Sequence, residues 1–410
     1  MLRIGTFLIA MGSFICSLKA QRSGLAAVPP MGYMTWNFYA DKITEQDVRT
    51  IADAMVANGL TGAGYQYIFI DDGWQGGRDK RNNIIPDAVK FPSGIKALAD
   101  YVHSKGMKLG IYSDAAPLTC AGYTASLNFE EQDAATFAGW GIDYLKYDYC
   151  NAPSDSVTAK TRYKRMADAL SASGRDIVFG ICEWGGRQPW FWAKGAGGSL
   201  WRIAGDIRDK WSADNDAAGV EKGGIGILDA VKVDADIAAH AGDGGWNDPD
   251  MLVVGLYGRK GPSGDLGGIG CSDVEYQSQM SLWCLLAAPL MVSCDVAGMN
   301  EATKRILTNK NILAIDQDKL GKQAIRKINS DGRQVYVKPL ENNEFAVGIL
   351  NTGTAAIKAD IGLPELGLEG KYTSLNVWNN EIRKDQKKLS YLIAPHETVV
   401  LRLTQAGAKK

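Results

Sequence analysis

The sequence is short of the residues from which metal centres and nucleophile relays are most often built. Its 410 residues contain three histidines, His103, His240 and His396, scattered along the chain, and none of its seven cysteines falls in a Cys-x-x-Cys pair. A structural zinc site is therefore not expected. Excess charge of either sign is missing too. Lys and Arg number 45 against 46 Asp and Glu, a net charge of −1, so no basic surplus exists to neutralise phosphates and nucleic acid is not an expected partner. No Asn-x-Ser/Thr triplet occurs, which favours a bacterial exported protein over a eukaryotic glycoprotein. No glycine-rich phosphate loop follows the first candidate strand, where Met34-Thr-Trp-Asn-Phe-Tyr39 stands instead; this argues against a doubly wound nucleotide-binding sheet. Beyond residue 20 no apolar run approaches the roughly 20 residues that a membrane span needs.

What is present begins with a leader. Met1-Leu-Arg3 is a short positive segment, Ile4 to Leu18 is mostly apolar, and Ala20 offers a small residue before Gln21. This pattern reads as a secretory signal peptide over 1–20, cleaved to leave a secreted or periplasmic protein. Six cysteines then remain: Cys120, Cys150, Cys182, Cys271, Cys284 and Cys294. Export permits disulfides, but this count in 410 − 20 = 390 residues is no disulfide scaffold. The length also exceeds the roughly 250–300 residues at which one core stops growing, so a large and a smaller domain are expected.

From Met31 to Leu320 short apolar runs alternate with amphipathic ones. The strand candidates are Gly32–Trp36, Tyr65–Ile70, Leu109–Tyr112, Tyr144–Tyr147, Ile177–Cys182, Leu200–Ile203, Gly245–Trp246 and Leu290–Ser293. Their short, branched and aromatic runs suit buried parallel strands. Between them lie helix candidates Glu45–Asn58, Gly94–Ser104, Glu130–Gly139, Val157–Ser171, Ile227–Ala241 and Glu275–Ala288, with N-cap neighbourhoods at Thr44 and Ser93 and stops at Gly59, Gly106 and Gly141. Eight strands with intervening helices predict a (β/α)8 TIM barrel over 21–322. After Gly321 strand-like pieces recur between turn signals such as Asp331-Gly and Asn342-Asn, and helix-period runs vanish. A small antiparallel β-sandwich domain is expected over 323–410.

Barrel enzymes react at the C-terminal ends of their strands, so the strand exits are the places to read. They carry Asp71-Asp72, Tyr112 with Asp114, Lys146 with Asp148, Glu183-Trp184, Arg202 with Asp206, and Trp246-Asn-Asp-Pro-Asp250. Side chains alternate along a strand, so Lys146 and Asp148 share a face. Carboxylates at nearly every exit, among aromatic rings, describe a polar cup suited to a pyranose. Any one Asp could merely cap a helix, and any one Trp could fill the core; the joint pattern carries the inference. Three chemistries fit it. Two carboxyls can cleave a glycosidic bond. Asp71, Asp148 and Asp248 could hold a divalent metal with Lys146 as base. The same cup could bind sugar without catalysis.

Longer strings narrow the choice. Pro30-Met-Gly-Tyr-Met-Thr-Trp36, Tyr67-Ile-Phe-Ile-Asp-Asp-Gly-Trp74, Leu109-Gly-Ile-Tyr-Ser-Asp114, Thr119-Cys-Ala-Gly122, Tyr144-Leu-Lys-Tyr-Asp-Tyr-Cys150, Cys182-Glu-Trp184, Gly245-Trp-Asn-Asp-Pro-Asp-Met-Leu252, Ala287-Ala-Pro-Leu290 and Ile315-Asp-Gln-Asp-Lys-Leu-Gly321 occur in order. Over essentially the whole chain after the leader, the sequence resembles glycoside hydrolase family 27, the family of α-galactosidases and α-N-acetylgalactosaminidases. The resemblance implies a (β/α)8 barrel with a β-domain and double displacement with retention, on α-galactosyl oligosaccharides or polysaccharides, with no cofactor and no metal. By motif, Asp148 would be the nucleophile and Asp206 the acid/base, with a raised pKa. Lys146 would keep Asp148 ionised. Asp71 and Asp72 would face the C4 and C6 hydroxyls, with Tyr112 among the substrate-binding residues. Trp36 and Trp246 would lie against the ring, Arg202 and Glu183 near C2 with Trp184, and Asp250 in a binding or supporting role. Cys120 and Cys150 resemble a family disulfide, while Cys182 lacks the partner often seen. Glu183 and Asp72 look like the galactosidase form rather than the N-acetylgalactosaminidase or β-L-arabinopyranosidase form.

Overall fold

The computed structural model describes residues 25–213, 224–259, 261–264 and 268–406; the signal-peptide expectation over 1–20 lies outside them. Eight parallel strands form the central sheet: β1 (Met31–Met34), β2 (Tyr67–Ile70), β3 (Lys108–Asp114), β4 (Tyr144–Asp148), β5 (Val178–Ile181), β6 (Leu200–Arg202), β7 (Trp246–Asp248) and β8 (Leu290–Val292). They pair in chain order, and β8 returns to pair with β1, Met31 opposite Leu290. The ring closes past β7, where Leu252 bridges Val292 and its amide donates to the Met291 carbonyl at 2.7 Å. This is the curled parallel sheet of a (β/α)8 barrel. Its strands are only three to seven residues long because their side chains fill the interior in layers. Gly110 shows how tight that filling is: a Cβ there would sit 2.4 Å from Phe69 Cδ2.

Local chemistry sets the helix limits. The helix Glu45–Ala57 starts at Thr44 in a capping box with Asp47, and Gly59, Gly106 and Gly141 all take positive φ where their helices stop. Gly94–Ser104 forms as the periodicity predicts, though Ser93 makes no side-chain cap. The expected helix Ile227–Ala241 ends at Asp234. Gln323 Nε2 donates to the Asp234 carbonyl at 2.9 Å and to its carboxylate at 2.8 Å, taking over the helix end. Some elements of the barrel region were not anticipated. The hairpin Gln75–Arg78/Ile84–Pro86 is too short to show a period, and two short helices, Glu301–Leu307 and Lys310–Asp316, are announced only by their caps Asn300 and Asn309.

The C-terminal part is antiparallel. Its main sheet runs in the order Ile325–Ser330, Arg333–Leu340, Glu344–Asn351, Thr398–Gln405, Tyr372–Asn376, Ile382–Gln386, and Ile357–Gly362 pairs with Lys388–Ile393 in a second layer. Val335, Val347, Ile349, Leu401 and Leu403 from one layer bury against Ala359, Ile361, Leu389 and Ile393 from the other. The two edge strands carry Arg-Lys and Arg-Lys-Asp runs, a usual guard against edge pairing; those charges hid them from a reading based on apolar alternation. This sandwich seats on the helix Asp273–Leu286. Lys338 Nζ donates to the Cys284 carbonyl at 2.8 Å, Trp378 Nε1 to Ser281 Oγ at 2.9 Å, and Tyr336, Leu350 and Val400 belong to the same buried cluster as the barrel. Among the described residues no helix is long and apolar enough to cross a membrane.

Candidate active site

A pocket opens at the C-terminal ends of the strands, lined by Trp36, Asp71, Asp72, Tyr112, Cys120, Lys146, Asp148, Trp184, Arg202, Asp206 and Met251. The residues come from the exits of β1 to β7, which places the reactive groups where a barrel of this kind puts them.

The β2 exit supplies two adjacent buried acids. The Asp71 amide donates to Thr35 Oγ1 at 3.0 Å; its carboxylate accepts from the Asp72 amide at 2.8 Å and from Lys146 Nζ at 2.9 Å. Asp72 accepts from the Gly73 and Ala121 amides, each at 2.8 Å. Burial, with Asp71 and Asp148 nearby, still pushes the Asp72 pKa up to about 6. Gly73 is needed here: it has φ +100°, and a Cβ would fall 2.8 Å from Asp41.

On β4, Lys146 and Asp148 face the pocket while Tyr147 packs outward against Tyr163 and Phe179. Lys146 makes its direct ion pair with Asp71 rather than Asp148. Burial is the largest influence on Asp148 and pushes its pKa up to about 6; the Lys146 charge and the Cys182 thiol oppose this, while Asp71 and Asp206 add to it. Lys146 therefore limits the rise without holding Asp148 in the ordinary range. Among the described residues Asp148 Oδ1 has no hydrogen-bond partner, and Oδ2 lies 3.4 Å from Cys120 Sγ. That sulfur is bonded to Cys150 and has no proton to donate, so this is a contact. The cluster Asp114, Cys120, Asp148 and Cys150 has the spacing of a metal nest. With both sulfurs in the disulfide, it offers no thiolate.

The opposite wall is cationic. Arg202 is buried, and its Nη2 lies 3.0 Å from both Asp206 Oδ1 and Asp250 Oδ2. Trp184 Nε1 donates to the same Asp206 oxygen at 3.1 Å. Trp184 adopts φ +54°, a backbone position that turns its indole toward the pocket. Burial alone would raise the Asp206 pKa, but Arg202, then Lys146 and Arg208, outweigh it and lower it below the ordinary Asp value. The expected raised pKa is thus corrected: burial is still the largest single influence on Asp206, but Arg202, Lys146 and Arg208 together outweigh it, whereas Asp148 has Lys146 as its one cation against burial and two neighbouring acids.

Three expected members, Trp246, Glu183 and Asp250, do not line the pocket. Trp246 is fully buried at the other end of the barrel, where its Nε1 donates to the Ala26 carbonyl at 2.8 Å. The strand begins at Trp246 rather than ending there, so its exit is Asp248 to Asp250. Glu183 turns away and pairs with Arg187, Oε2 to Nη1 at 2.8 Å and Oε1 accepting the Arg187 amide at 3.0 Å. Asp250, with φ +84°, holds Arg202 and accepts the Ile207 amide at 2.9 Å. Conversely, Met251 lines the pocket, and the Cys182 thiol lies close enough to Asp148 to lower its pKa. No chemical signal pointed to Met251, while Cys182 sat visibly beside Glu183 and was passed over as a disulfide half. Cys182, Cys271, Cys284 and Cys294 are buried free thiols.

A (β/α)8 barrel with two carboxyls in one ring-walled pocket fits a glycoside hydrolase. The alpha galactosidase A family model matches residues 28–318, and the model of the alpha galactosidase C-terminal beta sandwich domain matches 330–403. The chain is 41% identical to alpha-galactosidase A of Cellvibrio japonicus over 392 residues, covering 93% of each. Its structure is similar to that of alpha-galactosidase I from Mortierella vinacea, with TM-score 0.86, 32% identity and coverage of 95% of this chain and all of that one. It is also similar to the Saccharomyces cerevisiae α-galactosidase solved with raffinose, with TM-score 0.84, 27% identity and coverage of 94% and 99%. The chain belongs to the α-galactosidase family and is a hydrolase of α-galactosides.

Proposed function

We propose that Asp148 is the nucleophile and Asp206 the acid/base of a retaining hydrolysis of terminal α-galactosyl residues, raffinose-type oligosaccharides included. The observation that carries this is the free Oδ1 of Asp148 in a pocket where the oxygens of Asp71 and Asp72 are already engaged. Oδ1 bonds to the anomeric carbon as the glycosidic C–O bond breaks, and the Asp206 proton goes to the leaving oxygen. Water then gives a proton to Asp206 and attacks the same carbon, releasing Asp148. Esterification removes the Asp148 charge, which lowers the Asp206 pKa further and leaves it ionised for its role as base. Asp72, Trp36 and Tyr112 form the wall for the sugar hydroxyls and ring face, and Trp184 rather than Glu183 is the member of its motif that bounds the site.

In the empty enzyme the pair shares one proton, which resides mainly on Asp148. Activity needs that one proton in the pair. kcat/KM therefore falls as pH rises through about 6, when the proton leaves, and falls again at low pH as a second arrives. The test is hydrolysis of p-nitrophenyl α-galactoside by wild type and Asp148→Ala with azide added. Rescue that yields β-galactosyl azide supports the assignment, and an active Asp148→Ala enzyme without azide overturns it. Running the N-acetyl-α-galactosaminide and β-L-arabinopyranoside beside it tests the sugar. We further propose export through residues 1–20, in keeping with the Cys120–Cys150 disulfide; N-terminal sequencing of the mature protein should begin at Gln21.

A further inference from the structure

Behind Asp148 lies a carboxyl to which the reaction above gives no part. Asp114 ends β3 directly across the sheet from Asp148, its Cα partner on β4, so both side chains emerge on the same side. It is completely buried. A carboxylate oxygen of each acid and the two sulfurs of the Cys120–Cys150 disulfide all lie within 4.8 Å of one another. Asp114 Oδ2 accepts the Cys150 amide at 2.9 Å, whereas Oδ1 has no hydrogen-bond partner among the described residues. No Lys or Arg pairs with either oxygen in the described structure. The side chain of Arg162 donates to the Ala115 carbonyl at 2.6 Å instead. The titratable groups around Asp114 are Asp148 on β4, Asp72 at the β2 exit, and the phenols of Tyr112, Tyr147, Tyr149 and Tyr163.

Two buried carboxyls this close do not both ionise without a cation between them. Asp148 has the Lys146 charge and the Cys182 thiol on its side; Asp114 has backbone amides alone. We propose that Asp114 is a positioning residue that keeps its own proton, so that when the pair Asp114/Asp148 gives up a proton it is Asp148 that becomes charged. Burial, then Asp148, drive its pKa up to about 9 against the Cys150 amide. As a neutral acid it still anchors the Cys150 amide and hence the disulfide that touches Asp148, without placing a second charge beside the nucleophile.

This inference rests on the proposed role of Asp148 for its kinetic consequence but not for its protonation. Neutron diffraction from wild-type crystals grown in D2O near neutral pH should show a deuteron on the Asp114 carboxyl; its absence overturns the proposal whatever Asp148 does. Asp114→Asn keeps shape and neutrality. It should leave the kcat/KM limb near pH 6 in place, with a fall of about threefold or less, and Asp114→Ala, which strips the Cys150 amide of its acceptor, should lose about tenfold or more. If Asp114 were ionised, neutralising it would remove a like charge from beside Asp148 and move that limb down by about two units. Such a shift in Asp114→Asn would overturn the proposal. Failure of azide to rescue Asp148→Ala would instead strike only the nucleophile assignment and leave the deuteron standing.

Discussion

Asp148 and Asp206 share one pocket, yet their proton affinities are set by opposing physics. On the Asp148 side the strands are packed to the end, the acid is buried among other acids, and desolvation outweighs the Lys146 charge. On the Asp206 side the chain has left the strand, the carboxyl is partly exposed, and Arg202 with Lys146 and Arg208 dominates. The difference teaches that a carboxylate's role here follows from where its strand stops. An acid on the last residue of its strand sits among the other strand-end acids; one four residues beyond its strand reaches back to Arg202 at the strand end and to Lys146 and Arg208.

The sharpest way to break this comparison is to change the leaving group. Asp206→Ala should lose about a thousandfold or more on raffinose, which needs its leaving oxygen protonated, and far less on 2,4-dinitrophenyl α-galactoside, whose leaving group does not. Asp148→Ala should lose activity on both. Equal losses in the two variants would erase the functional distinction between the two sides. Next in size comes the disulfide, which closes a span of 30 residues on the Asp148 side only. The double variant Cys120→Ser/Cys150→Ser should unfold with about 3 kcal/mol less stability by denaturant titration, with a broadened limb near pH 6. A smaller effect separates the pocket from the barrel's far end. Trp184→Phe should raise KM several-fold with little change in Tm, while Trp246→Phe should lower stability by about 1–3 kcal/mol with KM kept. A change of KM in Trp246→Phe would return that residue to the site.

Stability in acid should report the same division. The raised groups Asp72 and Asp148, at about 6, and Asp114, at about 9, bind protons more tightly folded than unfolded. Their contribution is full below the unfolded value near 4 and is lost as pH rises through each folded value. Asp206, being lowered, works the other way and loses its contribution only as pH falls toward its own value. Melting scans of the empty enzyme should therefore show Tm falling between pH 5 and pH 9. A Tm that rises across that window would show that the cations, not burial, govern the whole pocket.

Much of this was legible beforehand because it rests on period and repetition. Short branched runs spaced by amphipathic ones led to the barrel, and acids after those runs led to its mouth. The errors came where one residue of register mattered. Trp246 was placed at a strand end when it begins the strand, which moved it from the site to the far side of the core. The edge strands Ile325–Ser330 and Ile382–Gln386 show no apolar alternation because their consecutive charged residues guard the exposed edges against pairing with another chain.

The sequence by itself determined the barrel, the β-sandwich that follows it, the cup of carboxylates and the family, since periodicity and long motifs are properties of the chain alone. Only the tertiary structure decided which of those groups act together. It paired Lys146 with Asp71 rather than Asp148, turned Glu183 to Arg187, lowered the proton affinity of Asp206 and set Asp114 behind Asp148. Burial and charge proximity fall off over a few ångströms, and distances of that size exist only once distant segments of the chain have been brought side by side.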